Sequence, residues 1–500
     1  MGPLTGILYG FSVTFQPVNL LFCFLGCLIG TLIGVLPGIG PGGALALLLP
    51  ITYYLPPSTA IIMLAGIYYG AMYGGSTTSV LVNIPGEAAS VVTCLDGYQM
   101  ARKGRAGPAL GMAAIGSFIA GTLSVIGLMI MAPPLARFAL KFGSPEYVSI
   151  IVFGLTLLSY LGSGSQIKAF MMAAFGLLIG TIGTDPIDSV NRFTFGSVYL
   201  MDGVGLIPVV MGLFGISEIL LNLEEEEFRS ILKEKIKNLF PSLKDWVDSK
   251  WPIVRGTVIG FFIGMLPGGN AIIASIISYA AEKRVSKHPE KFGTGAIEGV
   301  AGPESANNAS AQASFIPLLS LGIPTNAVMA LLLASLMIHG VLPGPLLINR
   351  NPDVFWSVIA SMYVGNIMLL ILNLPLIGMW VQVLKIPYSY LFPFIFIFCL
   401  LGTYSLSNTV FDIGVMIFFG VAGFLMKKFG YEATPLILAF VLGPMFEDNF
   451  RRSLIISGGS FLIFFERPIS ILFIIAAVLL LLSPLLPGIK KRRKFIPPPE

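Results

Sequence analysis

Apolar runs of 17 or more residues recur along most of this chain, separated by short polar stretches. Runs of that length match the roughly 30 Å hydrocarbon core of a bilayer, which a helix crosses in about 20 residues. Of the 500 residues, 55% are apolar and 11% charged, whereas a soluble domain carries about 25% charged residues. There is too little charge to coat a soluble α/β protein, so the fold class is an all-α polytopic membrane protein. The net charge of +5 is spread over loops, where it bears on orientation in a membrane, and no nucleic-acid partner is expected. Cys23, Cys27, Cys94 and Cys399 form no CxxC pair and sit in or beside apolar stretches, as small core residues do. The first 86 residues contain no Asp, Glu, Lys, Arg or His, so the basic n-region of a secretory signal is missing.

One stretch breaks the pattern. GTLIGVLPGIGPGG (30–43) holds two prolines and six glycines in fourteen residues, at what reads as membrane depth. Its framework occurs twice. Gly26, Gly30, Gly34, Pro37 and Gly38 return 230 residues later as Gly256, Gly260, Gly264, Pro267 and Gly268, and Ile33/Ile263, Leu36/Leu266 and Ala44/Ala274 keep the offset. A looser match follows each copy, LVNIPGEAA (81–89) with LSLGIPTNAV (319–328). The expected organisation is an N-terminal segment (1–17), a first repeat (18–222), a charged linker (223–252), a second repeat (253–466), and a final span with a basic tail (467–500).

Loop charge assigns sides. RKGR (102–105), the linker at 224–250, EKRVSKHPEK (282–291), Lys427–Lys428 and KRRK (491–494) read as cytoplasmic, and the linker's spacing reads as a surface helix. The loop at 185–202, with Asp185, Asp188 and Asp202, reads as external; Arg137 and Lys141 fall on that side too. The expected spans are 60–84, 108–133, 147–162, 166–184 and 203–222, then 312–338, 355–382, 388–405, 411–426 and 453–466, and last 468–487; residues 433–446 look too short to cross. That gives about 11 transmembrane helices. Each glycine–proline segment (18–55 and 253–281) is expected as a re-entrant hairpin whose arms of about 13 residues reach roughly 20 Å. Five spans between them invert the second repeat relative to the first. A single tilted, broken span is the competing geometry.

Non-helical backbone at membrane depth needs partners from protein, water or ligand. A break sets free carbonyls at one helix end against free N–H groups at the next, suiting a cation and a carboxylate respectively. The glycine rows themselves read as close helix packing. The expected carboxylate-binding groups are the tips at Gly40, Gly42, Gly43, Gly269 and Asn270, the last as an N-cap, with Ser76, Thr77, Thr78, Asn307, Asn308 and Thr325. The expected Na⁺ ligands are Pro37, Gly38, Pro267 and Gly268 with Asn83, Ser310, Gln312 and Asn326. Uncharged amides and hydroxyls serve both without the cost of a buried charge. Glu304 opens the second polar cluster as a candidate ion or proton ligand, while Glu87, beside a basic loop, is expected at the interface. Arg255 is expected to snorkel to the cytoplasmic surface; His288 and His339 are expected at the surface. With two histidines, no HExxH and no GxGD, nothing here reads as an enzyme. The alternative is a passive anion channel or a transporter working without a binding protein.

These residues resemble the large membrane subunit (TctA) of the tripartite tricarboxylate transporters. The likeness rests on GxLPGxGPGGALALLLP (34–50), GIYYGAMYGGSTTSVLVNIPGEAASV (66–91), DGYQMARKGRAG (96–107) and GVAGPESANNASAQASFIPLLSLGIPTNAVMALL (299–332). MIHGVLPGP (337–345) and FERPIS (465–470) extend it. The resemblance implies an importer of citrate or another carboxylate in a bacterial or archaeal inner membrane, driven by an ion gradient, commonly Na⁺, with H⁺ as the alternative and no organic cofactor. It also implies two partners: a small membrane subunit of about four helices and an extracytoplasmic solute-binding protein that delivers the substrate.

Overall fold

A computed structural model of the chain describes residues 2–36, 40–161, 165–185, 187–224, 238–386 and 388–482. Pro37, Gly38, the middle of the charged linker and KRRK (491–494) fall outside them. The described chain is almost entirely helical, as apolar segments must be where lipid offers the backbone no hydrogen bonds. The first half comprises α1 (Pro3–Thr14), α2 (Pro17–Val35), α3 (Gly40–Thr52), α4 (Pro57–Val82), α5 (Ala106–Ala139), α6 (Ser144–Leu161), α7 (Gln166–Gly180) and α8 (Leu206–Glu224). A two-stranded hairpin, Gly183–Thr184 with Asn191–Arg192, lies between α7 and α8. The second half comprises α9 (Leu243–Met265), α10 (Ala271–Val285), α11 (Glu298–Ala313), α12 (Phe315–Leu321), α13 (Ala327–Ile338), α14 (Pro352–Asn373), α15 (Tyr388–Ser407), α16 (Val410–Lys428), α17 (Ala433–Ile456) and α18 (Pro468–Leu482). Five of these, α2, α5, α8, α14 and α16, are long and apolar enough to cross a membrane.

The glycine rows set the helix directions. A Cβ on Gly26, Gly30 or Gly34 of α2 would collide with the carbonyls of Met63, Ile67 and Ala71 of α4, one turn further on at each step. The rising series on both helices makes α2 and α4 parallel neighbours in backbone contact, the close approach that small residues permit. Gly256, Gly260 and Gly264 of α9 stand in the same way against Gly302, Ala306 and Ser310 of α11. Since α2 and α4 run parallel, α3 between them travels back along α2. By the same argument α10 travels back along α9.

The two units face each other in opposite directions. Ser76 of α4 meets Glu304 of α11, and Tyr68, two turns earlier, meets Phe315 at the start of α12 with ring centroids 6.3 Å apart. α4 and α11–α12 are therefore antiparallel. Around them α5 accompanies α11, through Ser124 to the Ala309 carbonyl and Ser320 to the Ala132 carbonyl. α14 accompanies α2 through the Cys23 and Cys27 thiols to the carbonyls of Ser361 and Gly365. All four cysteines are free and buried.

Three features differ from the sequence expectation. Residues 433–446 do not stop short: α17 continues to Ile456, 24 residues in all, and about 36 Å at 1.5 Å per residue. Its charged second half is neutralised, because Arg451 pairs with Asp185 at 2.6 Å and Glu447 with Arg192 at 2.6 Å. The stretch 453–466 is the end of that helix and a short turn, Ile463–Glu466. α9 runs unbroken across the junction expected at 252, with Ser242 as its N-cap. The expected span 312–338 is interrupted at Gly322 (φ 71°) and restarts at α13.

Candidate functional site

Each broken helix ends in extended backbone, at Leu36 after α2 and at Leu266 after α9, leaving carbonyls without an intrahelical partner. At the first break the Thr78 hydroxyl donates to the Val35 carbonyl at 2.6 Å, so α4 meets one of these acceptors. At the second, Gly268 adopts φ 80° and its N–H donates to the Thr325 carbonyl at 2.9 Å. Pro267 and Gly268 pack on Gly154 and Leu158 of α6, and Gly269 on the Ile263 carbonyl. Asn270 is the N-cap of α10, accepting from the Ile273 N–H at 2.9 Å. In the first tip, Gly40 (φ 63°) has open space where a Cβ would sit, and Gly42 faces the Phe214 ring; Gly43 is buried. The described contacts thus set the two tips against different helices, α8 and α6.

The side chains expected beside the tips converge more closely than the tips do. They lie in the seam between α4 and α11, completed by the turns at 87–93, by α5 and by α14. Every residue of α11 from Gly299 to Ala313 is buried although the segment is rich in Asn, Ser and Gln, so its polar groups must find partners inside the protein. Glu304, 1% exposed, accepts from the Ser76 hydroxyl at 2.6 Å and from the Thr93 hydroxyl. Asn307 donates to Glu87 at 3.0 Å, Asn308 to the Ser117 hydroxyl at 2.7 Å, and Gln312 to Asn366 at 3.2 Å. Ser310 lays its backbone against Gly264. Thr77 borders a small cavity with Tyr73, Ser76, Ser117 and Asn373. Asn326 is the N-cap of α13, accepting from the Met329 N–H at 3.0 Å. Asn83 ends α4 in left-handed backbone, φ 61°.

Two properties give the seam its chemical character. Buried oxygens of the seam with no hydrogen-bond partner among the described residues include Tyr73 Oη, Asn307 Oδ1, Asn308 Oδ1, Gln312 Oε1 and Asn373 Oδ1. Left so, each costs of order 1–3 kcal/mol. Second, Glu87 and Glu304 are both buried, while the ion pairs of the described residues, such as Arg105–Asp245, Arg255–Glu282 and Arg467–Glu146, lie elsewhere. Such an arrangement offers acceptors and negative charge to a small cation and amide donors to an anion.

Glu87 is the functional candidate that the sequence reading put at the interface. It is 5% exposed, and its carboxylate accepts from the Ala89 N–H at 2.7 Å as well as from Asn307. The internal repeat holds the signal that finds it. Aligning Ile84–Pro85 with Ile323–Pro324 places Glu87 opposite Asn326, and both are cap residues. The same alignment places Asn83 opposite Gly322, both in left-handed backbone.

The chain is similar to known proteins over nearly its whole length. The model of the tripartite tricarboxylate transporter TctA family matches residues 20–438, which enclose both breaks and the whole α4–α11 seam. The chain is 51% identical over 493 residues to an uncharacterized 52.8 kDa protein in the TAR-I ttuC' 3'region of Agrobacterium vitis, covering 99% of this chain and 98% of the relative. It is 50% identical over 234 residues to an uncharacterized protein in the TAR-II ttuC' 3'region of the same organism, covering 47% of this chain and 97% of the relative. No solved structure matches it. With the family match spanning both glycine–proline breaks and the polar seam between them, this chain belongs to the tripartite tricarboxylate transporter TctA family, the large multi-pass membrane component of a system that also has a small membrane subunit and a solute-binding protein.

Proposed function

We propose that this subunit is a secondary active importer of carboxylates, a tricarboxylate such as citrate or a dicarboxylate, coupled to Na⁺ or, failing that, to H⁺. The two glycine–proline segments are re-entrant hairpins of two inverted repeats in a bacterial or archaeal inner membrane. An anion handed over by the solute-binding protein enters between the repeats. There the N–H groups at Gly40–Gly43 and at Gly269–Asn270 attract its carboxylates, and Asn and Ser/Thr side chains of the seam orient it. A cation offsets the charge. Movement of one repeat against the other then exposes the site to the cytoplasm.

The observation that carries this reading is the antiparallel pairing of α4 with α11 through Ser76 and Glu304. Two similar units face each other head to tail across a buried polar seam. The unpartnered amide oxygens of Asn307, Asn308 and Gln312 support a ligand-binding role. The test is uptake of radiolabelled citrate, and of a panel of di- and tricarboxylates, into proteoliposomes holding the large and small subunits with the binding protein outside. Uptake that requires an inward Na⁺ or H⁺ gradient and saturates with substrate is expected. Unchanged uptake with every ion gradient collapsed rules out coupling, and non-saturating flux without the binding protein turns the reading to a passive anion channel.

A further inference from the structure

Of the two buried carboxyl groups of the seam, Glu304 is the one hydrogen-bonded to a residue that lines open volume. Ser76, its donor at 2.6 Å, lines the small cavity between α4, α5 and α14, which has room for about one water-sized guest. Two further buried oxygens line the same cavity without a hydrogen-bond partner among the described residues, the Tyr73 hydroxyl and Asn373 Oδ1. A carboxylate in a low-dielectric interior is unstable unless something neutralises it. Carboxylate, amide and hydroxyl oxygens together are the ligands that hard cations take.

Among the described residues, the surroundings supply no cation of their own. On α4 the titratable neighbour is Tyr73; across the turn at 87–94 they are Glu87 and Cys94. On α9 and α10, Arg255 and Glu282 pair with each other at 2.5 Å. Asp96 is held by the N–H groups of Gly293, Gly295 and Ala296 and by the Tyr279 hydroxyl. α5 presents the uncharged Ser117. Moreover, Glu304 sits in the second half while both of its donors, Ser76 and Thr93, belong to the first. Neutralising this one group therefore changes the bonding between the two halves.

We propose that Glu304, with the Ser76, Tyr73 and Asn373 oxygens around the adjoining cavity, is the site of the transported monovalent cation, Na⁺ or a proton. This rests on the reading of the subunit as a cation-coupled importer, and Glu87, the other buried carboxyl group of the seam, lies outside the site.

The experiment follows thermal unfolding of the purified full-length chain in detergent, without carboxylate, from pH 6 to 9, in NaCl against choline chloride at equal ionic strength. For Na⁺ as the ion, the wild type gains several degrees in Tm with rising NaCl, as a ligand of the native state must produce. Glu304→Gln loses that gain, Glu304→Asp retains part of it, and Ser76→Ala and Asn373→Ala shift its midpoint to at least about tenfold higher NaCl. For a proton, the Tm depends on pH and not on NaCl, and Glu304→Gln flattens that dependence while Glu87→Gln leaves it in place. A wild type that responds to neither ion overturns the proposal. So does a Glu304→Gln variant that responds like wild type; should that variant not fold, unshifted responses in Ser76→Ala and Asn373→Ala have the same force. Because no carboxylate is present, a chain that fails to import one counts against the transport reading alone. Gradient-driven uptake that survives Glu304→Gln counts against this site alone.

Discussion

The Ser76 hydroxyl donates to the Glu304 carboxylate at 2.6 Å, across two helices that run in opposite directions and come from opposite halves of the chain. Each of those helices is in turn held by a glycine row on its own side, α4 by α2 and α11 by α9. The polar contact thus stands on two backbone-to-backbone interfaces whose geometry leaves little slack.

Those interfaces give the first prediction. A Cβ at Gly30 would strike the Ile67 backbone, and one at Gly260 the Ala306 backbone; backbone cannot rotate away as a side chain can. Gly30→Ala and Gly260→Ala are expected to destabilise the protein by about 1–3 kcal/mol each, the cost of overpacking. Gly414→Ala, where nothing lies within 4 Å, serves as the neutral control. Thermal unfolding in detergent separates the three, and equal melting of all of them refutes the packing argument.

Asn270 allows the tip to be tested apart from its stability. Its side chain accepts from the Ile273 N–H at 2.9 Å, and Asn270→Ala is expected to cost about 1 kcal/mol, as lost caps do. Asn270→Asp keeps the cap and adds a negative charge at the same helix N-terminus. If that terminus attracts the carboxylate, the Asp variant melts like wild type yet imports on the order of tenfold more slowly, since like charges at a binding site are costly. Wild-type uptake by a stable Asn270→Asp would move the anion away from this tip.

The hairpin between α7 and α8 predicts a pH response. Asp185 accepts from the N–H groups of Ile187 and Asp188 and pairs with Arg451; these hold its carboxyl down, from 3.8 to about 2. A depressed carboxylate stabilises the fold fully above its ordinary value and loses that contribution as pH falls through the lowered one. Protection factors at Ile187 and Asp188, with the intrinsic exchange rate divided out, are therefore expected to stay high at neutral pH and to fall as pH drops from about 4 towards 2. Asp185→Asn, which keeps an acceptor and removes the charge, should show lower protection at neutral pH and no such fall.

What could be read from the chain follows local rules, and what escaped depends on distant partners. The glycine rows at Gly26–Gly30–Gly34 and Gly256–Gly260–Gly264, and the cap at Asn270, were legible because period and residue type suffice to identify them. α17 outruns the expected 433–446 through a charged stretch, Glu447, Asp448, Arg451 and Arg452. Asp448 and Arg452 pair with each other, but the partners of Glu447 and Arg451, Arg192 and Asp185, lie more than 250 residues away. Glu87 looked interfacial because RKGR (102–105) is near in sequence, whereas its partner Asn307 is 220 positions on. Arg255, expected to reach for the cytoplasmic surface, has a partner that loop charge alone does not reveal, Glu282 at 2.5 Å.

The Glu87–Asn307 contact yields the last prediction. Asn307 donates to Glu87 Oε1 at 3.0 Å while the Ala89 N–H donates to Oε2 at 2.7 Å, so both carboxylate oxygens serve as acceptors. Asn307→Ala removes one donor from a buried acceptor and is expected to cost about 1–3 kcal/mol. Glu87→Gln can satisfy Ala89 through its amide oxygen, but then turns an amide N–H₂ towards the Asn307 N–H₂, donor against donor. Asn307→Asp alone brings a second carboxyl group to hydrogen-bond distance of the first. Combining Glu87→Gln with Asn307→Asp reverses the polarity of the bond: the Gln amide donates to the new carboxylate while its oxygen still accepts from Ala89. The double variant is therefore expected to melt above the sum of the two single losses, with a coupling of about 0.5–3 kcal/mol. Strict additivity in the four-way cycle would mean that the two halves are not held together through this pair.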